Sequence, residues 1–303
     1  MSEGWSRRRF LTWGLGTAAT VLVGGAGALE LVAHGVLPGQ YALERIDGAC
    51  NVAAPTPQIS PGGRTYRGSF HSEARRRTVA YAIAYPPGHG PASQLPLVVV
   101  LHAYGANVDT ALSGLTLAEA CGLRIGDRSL PPMALVAADG GNGYWHAHPG
   151  DDPMKMVVDE LIPLCQSRGL GREPDQIGVT GISMGGYGAL LLAEKHPHRI
   201  AAVAAISPAV WTSYAQARAA NAGAYASARD FADNDAVTHA AALGSMPVRI
   251  ASGDDDPFRP GVEALTRALP RGATVVQSAG CHTAQFFTAQ VPPSLEFLGR
   301  HLF

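Results

Sequence analysis

The chain has 303 residues, a net charge of -1 and 16% charged residues against 47% hydrophobic ones. That composition supplies a sizeable core and excludes the basic field that nucleic-acid binding requires. No internal repeat is visible, and the part after the N-terminal segment suits one domain.

Ser6-Arg7-Arg8-Arg9-Phe10-Leu11 matches the twin-arginine export signature, and an uncharged stretch from Phe10 to Leu29 follows it. Residues 1–40 therefore read as a twin-arginine signal peptide or signal anchor, outside the fold. Ala26-Gly27-Ala28 offers a small-residue cleavage site. Glu30 only briefly interrupts the apolar character through Leu37, so an uncleaved, membrane-associated anchor stays open beside release. The expected destination is secreted, periplasmic or cell-envelope. Residues 41–63, with a Pro/Gly-rich stretch from Ala53 to Gly63, read as a linker to a folded domain at 64–303.

Four cysteines, Cys50, Cys121, Cys165 and Cys281, suit an oxidising compartment and allow three pairings. None has metal-ligand spacing, and Cys50 lies too far from the apolar stretch for a lipoprotein signal. Cys281, beside His282, reads either as part of a bridge pinning that loop or as a buried thiol.

The elements then run in order. Thr65–His71 and Thr78–Tyr85 predict a hairpin, with Arg75-Arg76-Arg77 at its solvated end. Leu97-Val98-Val99-Val100-Leu101 predicts a strand buried on both faces, feeding His102-Ala103-Tyr104-Gly105. A helix is expected over Thr110–Cys121, a strand over Ala134–Ala138 and a helix over Pro153–Ser167. Strands at Ile177–Thr180 and Ala201–Ile206 bracket a further helix. Two more strands follow, Pro247–Gly253 and Thr274–Gln277, each succeeded by a helix. This alternation implies an α/β fold with a mostly parallel sheet and helices on both faces. Residues 207–246, carrying Trp211, Tyr214, Tyr225 and Phe231, break the rhythm and read as a helical cap or a packed excursion.

Gly181-Ile182-Ser183-Met184-Gly185 carries the chemistry. It fits G-x-S-x-G between a strand and a helix, the context of a nucleophile elbow. A serine hydroxyl needs a histidine to take its proton and a carboxylate to orient that histidine. Past the next strands come Asp254-Asp255-Asp256-Pro257-Phe258 and Gly280-Cys281-His282, giving the order Ser, Asp, His. Asp256 is preferred to Asp255 because Pro257 turns the chain after it. The oxyanion donors are expected to be the N–H groups of Met184 and Tyr104, with Ala103 as fallback for the latter. His102 reads as a structural side chain beneath that loop.

Asp139-Gly140-Gly141-Asn142-Gly143-Tyr144-Trp145-His146-Ala147-His148 is expected to border the same cleft. Ala103, Tyr144, Trp145 and Trp211 are the substrate-binding candidates. A metal reading of His146, His148, Asp151 and Asp152 is set aside, because their spacing is no strong ligand motif.

With those motifs the chain resembles the esterase D and mycolyltransferase branch of the α/β-hydrolases, from about Tyr66 onward. The resemblance rests on Leu101–Gly105, Asp139-Gly140-Gly141 and Glu160-Leu161-Ile162-Pro163. It rests also on Gly181–Ala189 with His196-Pro197, on Gly253–Phe258 and on Gly280–His282. It implies an α/β-hydrolase fold with a small cap at 207–246, and acyl transfer through an acyl-serine without metal or organic cofactor. Mycolyltransferases usually carry an Asp-Gly-Leu type oxyanion loop and a glutamate as the acid, where this chain has His102-Ala103-Tyr104 and Asp256. The leading expectation is an exported serine carboxylesterase acting on a small-molecule, lipid or glycan ester. The alternatives are an envelope acyltransferase that uses a sugar or lipid hydroxyl, and a non-catalytic binding protein of the same fold.

Overall fold

The computed structural model describes residue 50 and residues 56–173 and 177–303. The expected export segment and most of the expected linker lie outside the described residues. Within them, no helix is long and apolar enough to cross a membrane.

Eight strands form one sheet, in the order β11-β10-β9-β8-β4-β7-β3-β2. They are β2 (Arg64–Ser72), β3 (Arg77–Tyr85), β4 (Leu97–Leu101), β7 (Ala134–Ala138), β8 (Ile177–Ile182), β9 (Ala202–Ile206), β10 (Val248–Asp255) and β11 (Thr274–Cys281). All but β3 run parallel: β3 pairs antiparallel with both β2 and β7. The central strands β4, β7, β8 and β9 are buried along their whole length. Apart from Thr180, whose hydroxyl donates to the Ala204 carbonyl at 2.8 Å, they carry no polar side chain, because both faces of the sheet are covered.

Helices supply the two covers. On one face lie α2 (Pro153–Met156), a π-turn (Val157–Leu161) and α3 (Ile162–Gln166), beside α4 (Met184–Lys195), with Val157, Ile162, Leu190 and Leu191 in one core. On the other, α9 (Ala284–His301) and the short α1 (Leu117–Cys121) close a second core through Leu117, Leu295 and Leu298. Between β10 and β11 runs α8 (Arg259–Ala268).

Three expectations are corrected. The helix expected over Thr110–Cys121 is confined to α1, where Thr116 accepts from the Glu119 N–H and Glu119 answers in a capping box. That box fixes the start and leaves the preceding residues in turns. The Pro/Gly-rich stretch ending at Gly63 is not all linker: β1 (Gln58–Ile59) pairs with β5 (Leu123–Ile125), which pairs with β6 (Arg128–Ser129). The hairpin end is not wholly solvated. Arg75 has a side chain 4% exposed, donates from Nε to Asp151 Oδ1 at 2.6 Å, and also donates to the Asp139 carbonyl.

Residues 207–246 pack as α5 (Tyr214–Ala220), α6 (Ala228–Asp233), α7 (Ala236–His239) and a 3-10 turn (Ala240–Leu243). Tyr225 pins this excursion down. Its ring stacks on His146 at 5.0 Å and lies 5.7 Å from Tyr144.

Candidate active site

Ser183 sits in the one-residue gap between β8 and α4, at φ 57° and ψ -117°. An L side chain rarely occupies that region, so the surrounding structure must enforce it. Close packing does so. A Cβ on Gly185 would lie 1.9 Å from the Leu101 carbonyl oxygen, and one on Gly181 would lie 2.2 Å from the Gly185 carbonyl oxygen. Both positions must be glycine for the elbow to press against the end of β4. The Ser183 N–H donates to Ile206 O at 2.9 Å, and its carbonyl accepts from the Ala209 N–H at 3.0 Å.

The ends of β10 and β11 bring Asp256 and His282 to the serine. His282 Nε2 is 2.8 Å from Ser183 Oγ, and His282 Nδ1 is 2.9 Å from Asp256 Oδ2. A carboxylate only accepts, so Nδ1 carries the hydrogen and Nε2 is free to accept from the serine hydroxyl. Asp256 is 2% exposed, whereas Asp254 and Asp255 are exposed. Of the acidic trio, Asp256 alone meets His282.

Two residues that sequence reasoning missed hold this array. The Phe258 N–H donates to Asp256 Oδ1 at 2.9 Å, so each carboxylate oxygen has its own donor. Phe258 and Phe287 flank the His282 ring, with centroids 5.0 Å and 4.8 Å away. An Asx turn, with an aspartate accepting from the N–H two residues on, was the signal available for Phe258. Phe287 had none, because its contact depends on how α9 docks.

The loop after β4 is fixed from below. His102 Nδ1–H donates to the Ala103 carbonyl at 2.8 Å, while His102 Nε2 accepts from the Gly140 N–H at 2.9 Å. Burial pushes the pKa of His102 down, which keeps the ring in this neutral form. The Ala103 carbonyl also accepts from the Ala106 N–H at 3.1 Å. A trans peptide opposes its C=O and N–H, so the Tyr104 N–H points away from that turn. Met184 opens α4, and its N–H has no acceptor within the helix. Asn142 Oδ1 steadies the loop further by accepting from the Gly105 N–H at 2.8 Å.

The substrate-binding candidates divide. Trp145 is corrected: at 1% exposure it is core, with Nε1 donating to His102 O at 3.1 Å. Its indole fills a slot left by two glycines, since a Cβ on Gly140 or Gly188 would fall 2.2 Å or 2.6 Å from it. Tyr144 offers no open ring face either. It is 4% exposed, packed against Tyr187 and Tyr225, and its hydroxyl accepts from Trp211 Nε1 at 3.1 Å. Trp211 is half-buried and meets Phe258 edge-on at 4.7 Å, while Tyr104 is 58% exposed. Ala103 is partly buried against the second core.

The histidine and aspartate side chains after Trp145 have other partners. His146 Nε2 donates to Ala224 O at 2.8 Å and His148 Nε2 to Gly143 O at 2.7 Å. Asp151 is held by Arg75, and Asp152 Oδ1 accepts from the Lys155 N–H at 2.8 Å. Among the described residues, no group of three or more His, Cys, Asp or Glu could hold a metal ion.

A strained serine at a strand-to-helix elbow, backed by histidine and aspartate from the next two strand ends, defines an α/β-hydrolase of the serine type. The Esterase family model, described as "Putative esterase", matches residues 72–271, and the chain belongs to that family. It is a serine ester hydrolase of the esterase D and antigen 85 group. Solved structures share the fold. A ferulic acid esterase is 18% identical with a TM-score of 0.65, over 80% of this chain and 100% of its own. An S-formylglutathione hydrolase from Agrobacterium tumefaciens is 19% identical with a TM-score of 0.63, over 83% and 100%. The fluorophosphonate-binding serine hydrolase FphF of Staphylococcus aureus is 15% identical with a TM-score of 0.60, over 78% and 99%. No curated protein sequence matches significantly.

Proposed function

We propose that this chain is an exported carboxylesterase that works through an acyl-serine. The two hydrogen bonds joining Ser183, His282 and Asp256 carry the reading. In the first half-reaction His282 Nε2 takes the Ser183 proton as Oγ attacks the ester carbonyl. Asp256 stabilises the imidazolium and keeps the ring in the tautomer that can accept. The Met184 and Tyr104 N–H groups bind the oxyanion. Collapse expels the alcohol, which takes the proton from Nε2. A water then attacks the acyl-serine, losing its proton to Nε2; collapse breaks the acyl–Oγ bond, Ser183 Oγ takes that proton back from Nε2, and the acid leaves.

Export rests on Ser6–Leu11 and the uncharged stretch after it, with the disulfide of the folded domain in keeping with an oxidising destination. The half-buried Trp211 beside Phe258, and the exposed Tyr104 in the loop after β4, suit an apolar or aromatic acyl group. A solved structure of the same fold, a ferulic acid esterase, agrees with an aromatic acyl group.

The test is p-nitrophenyl ester turnover by wild type, Ser183→Ala, His282→Ala and the double variant. Each single change lowers kcat by several orders of magnitude and the double change adds little, because the residues act as a unit. Near-wild-type kcat in either single variant contradicts the assignment. Product that partitions to an added sugar or lipid hydroxyl, rather than to water, would identify a transferase instead.

A further inference from the structure

His282 stands at the tip of an edge strand. β11 ends the sheet, with β10 as its strand neighbour. Their register slips between Gly253 and Asp255, and beyond the slip Cys281 pairs with Asp255. Gly280, immediately before, has φ 143°, and a Cβ there would strike the Phe286 ring at 2.5 Å. The ladder is therefore most irregular just where it must aim the histidine. Beyond it, the backbone is held by a Thr283 N–H donating to Cys281 O at 2.8 Å. A covalent tie is added at the same point: Cys281, fully buried, is bonded to Cys50, 231 positions away in sequence and itself 6% exposed.

We propose that the Cys50–Cys281 disulfide is a positioning element for His282: closed, it keeps the imidazole in register with Ser183, and opening it relaxes the loop and silences the site without unfolding the domain. This rests on the triad reading above. The leverage is large because the tie lies one residue from the ring. A misplacement of about 1 Å at a reacting group costs on the order of 100-fold in rate. The chemistry balances as thiol–disulfide exchange. A dithiol breaks the one S–S bond, supplies two electrons and two protons, leaves Cys50 and Cys281 as thiols and closes to its own disulfide. The reverse needs a disulfide donor of the kind an oxidising compartment holds, so the enzyme becomes competent where it is delivered. Cys121 and Cys165 are bystanders. Burial pushes each of their thiols up to about 12, which leaves no thiolate for internal exchange near neutral pH.

The experiment compares the oxidised full chain with the same preparation reduced by dithiothreitol. Thiol count by mass and near-ultraviolet circular dichroism accompany p-nitrophenyl acetate kinetics. Reduction should lower kcat about 100-fold with KM within about two-fold, leave the dichroism native, and reverse with oxidised glutathione. Cys50→Ala should show the same low kcat with no reductant present, and no further response to it. Full kcat after verified reduction overturns the proposal. Loss of native dichroism on reduction overturns it too, since the bridge would then hold the fold and not the histidine. An oxidised chain that turns over no ester overturns the triad reading itself, a distinct result.

Discussion

The Phe258 N–H donates to Asp256 Oδ1 at 2.9 Å while the Phe258 ring lies 5.0 Å from the His282 ring. One residue thus fixes the acid through its backbone and walls the base through its side chain. The buried carboxylate has a donor on each oxygen, which holds it in the plane that meets Nδ1.

Asp256→Asn should therefore lower kcat about 10³- to 10⁴-fold, because the amide stabilises the wrong tautomer of His282. Asp254→Asn and Asp255→Asn, both at exposed positions, should leave kcat nearly unchanged. Steady-state ester hydrolysis by the three variants separates them. A severe loss in Asp255→Asn with a mild one in Asp256→Asn would reverse the assignment.

Glu194 on α4 is 5% exposed, and neither carboxyl oxygen has a partner. Burial, helped by nearby Asp235, pushes its pKa up to about 9 from 4.5. The folded chain therefore keeps a proton that the unfolded chain loses above 4.5, and stability falls as pH rises from there toward 9. Glu194→Gln removes that penalty. It should stabilise the protein by on the order of 2–4 kcal/mol at pH 8 and far less at pH 5. Melting curves at the two pH values check this, and an equal shift at both would contradict it.

Arg75 joins the hairpin turn to the loop after β7, through Asp151 and the Asp139 carbonyl. Arg75→Ala leaves Asp151, whose side chain is 26% exposed, without its strongest partner. The expected cost is about 2–4 kcal/mol by denaturant unfolding, discounted from a fully buried pair for that exposure. Arg76→Ala, at an exposed position, should change stability by less than about 0.5 kcal/mol.

The two tryptophans near the site should behave differently. Trp145→Ala empties a core slot and should cost about 3–5 kcal/mol. Trp211→Ala, at a half-buried position, should cost less stability and mainly raise KM for esters with large acyl groups. Melting temperature and an ester series distinguish the pair. A Trp145→Ala variant with wild-type stability would sink the core assignment.

How far the fold was legible follows from the range of the contacts involved. The buried strands, the elbow and the strand-end motifs carrying Asp256 and His282 are local patterns, each written within a few residues, and the chain order of the three then links them. Trp145 misled because its environment comes from elsewhere. Gly188, which leaves room for the indole, sits on α4, so the ring turns inward instead of toward the cleft. Arg75 misled for the same reason, as an arginine run reads as solvated until Asp151 closes on one member. The Cys50–Cys281 pairing was one of three allowed connectivities, and spacing alone does not choose among them.

The central claim is that Ser183 is the nucleophile. Its most direct test is to react the folded, oxidised protein with a fluorophosphonate and locate the adduct by peptide mass. Stoichiometric label on the peptide carrying Ser183, abolished in His282→Ala, is the predicted result. No label on folded protein, or label on another residue, would contradict the account.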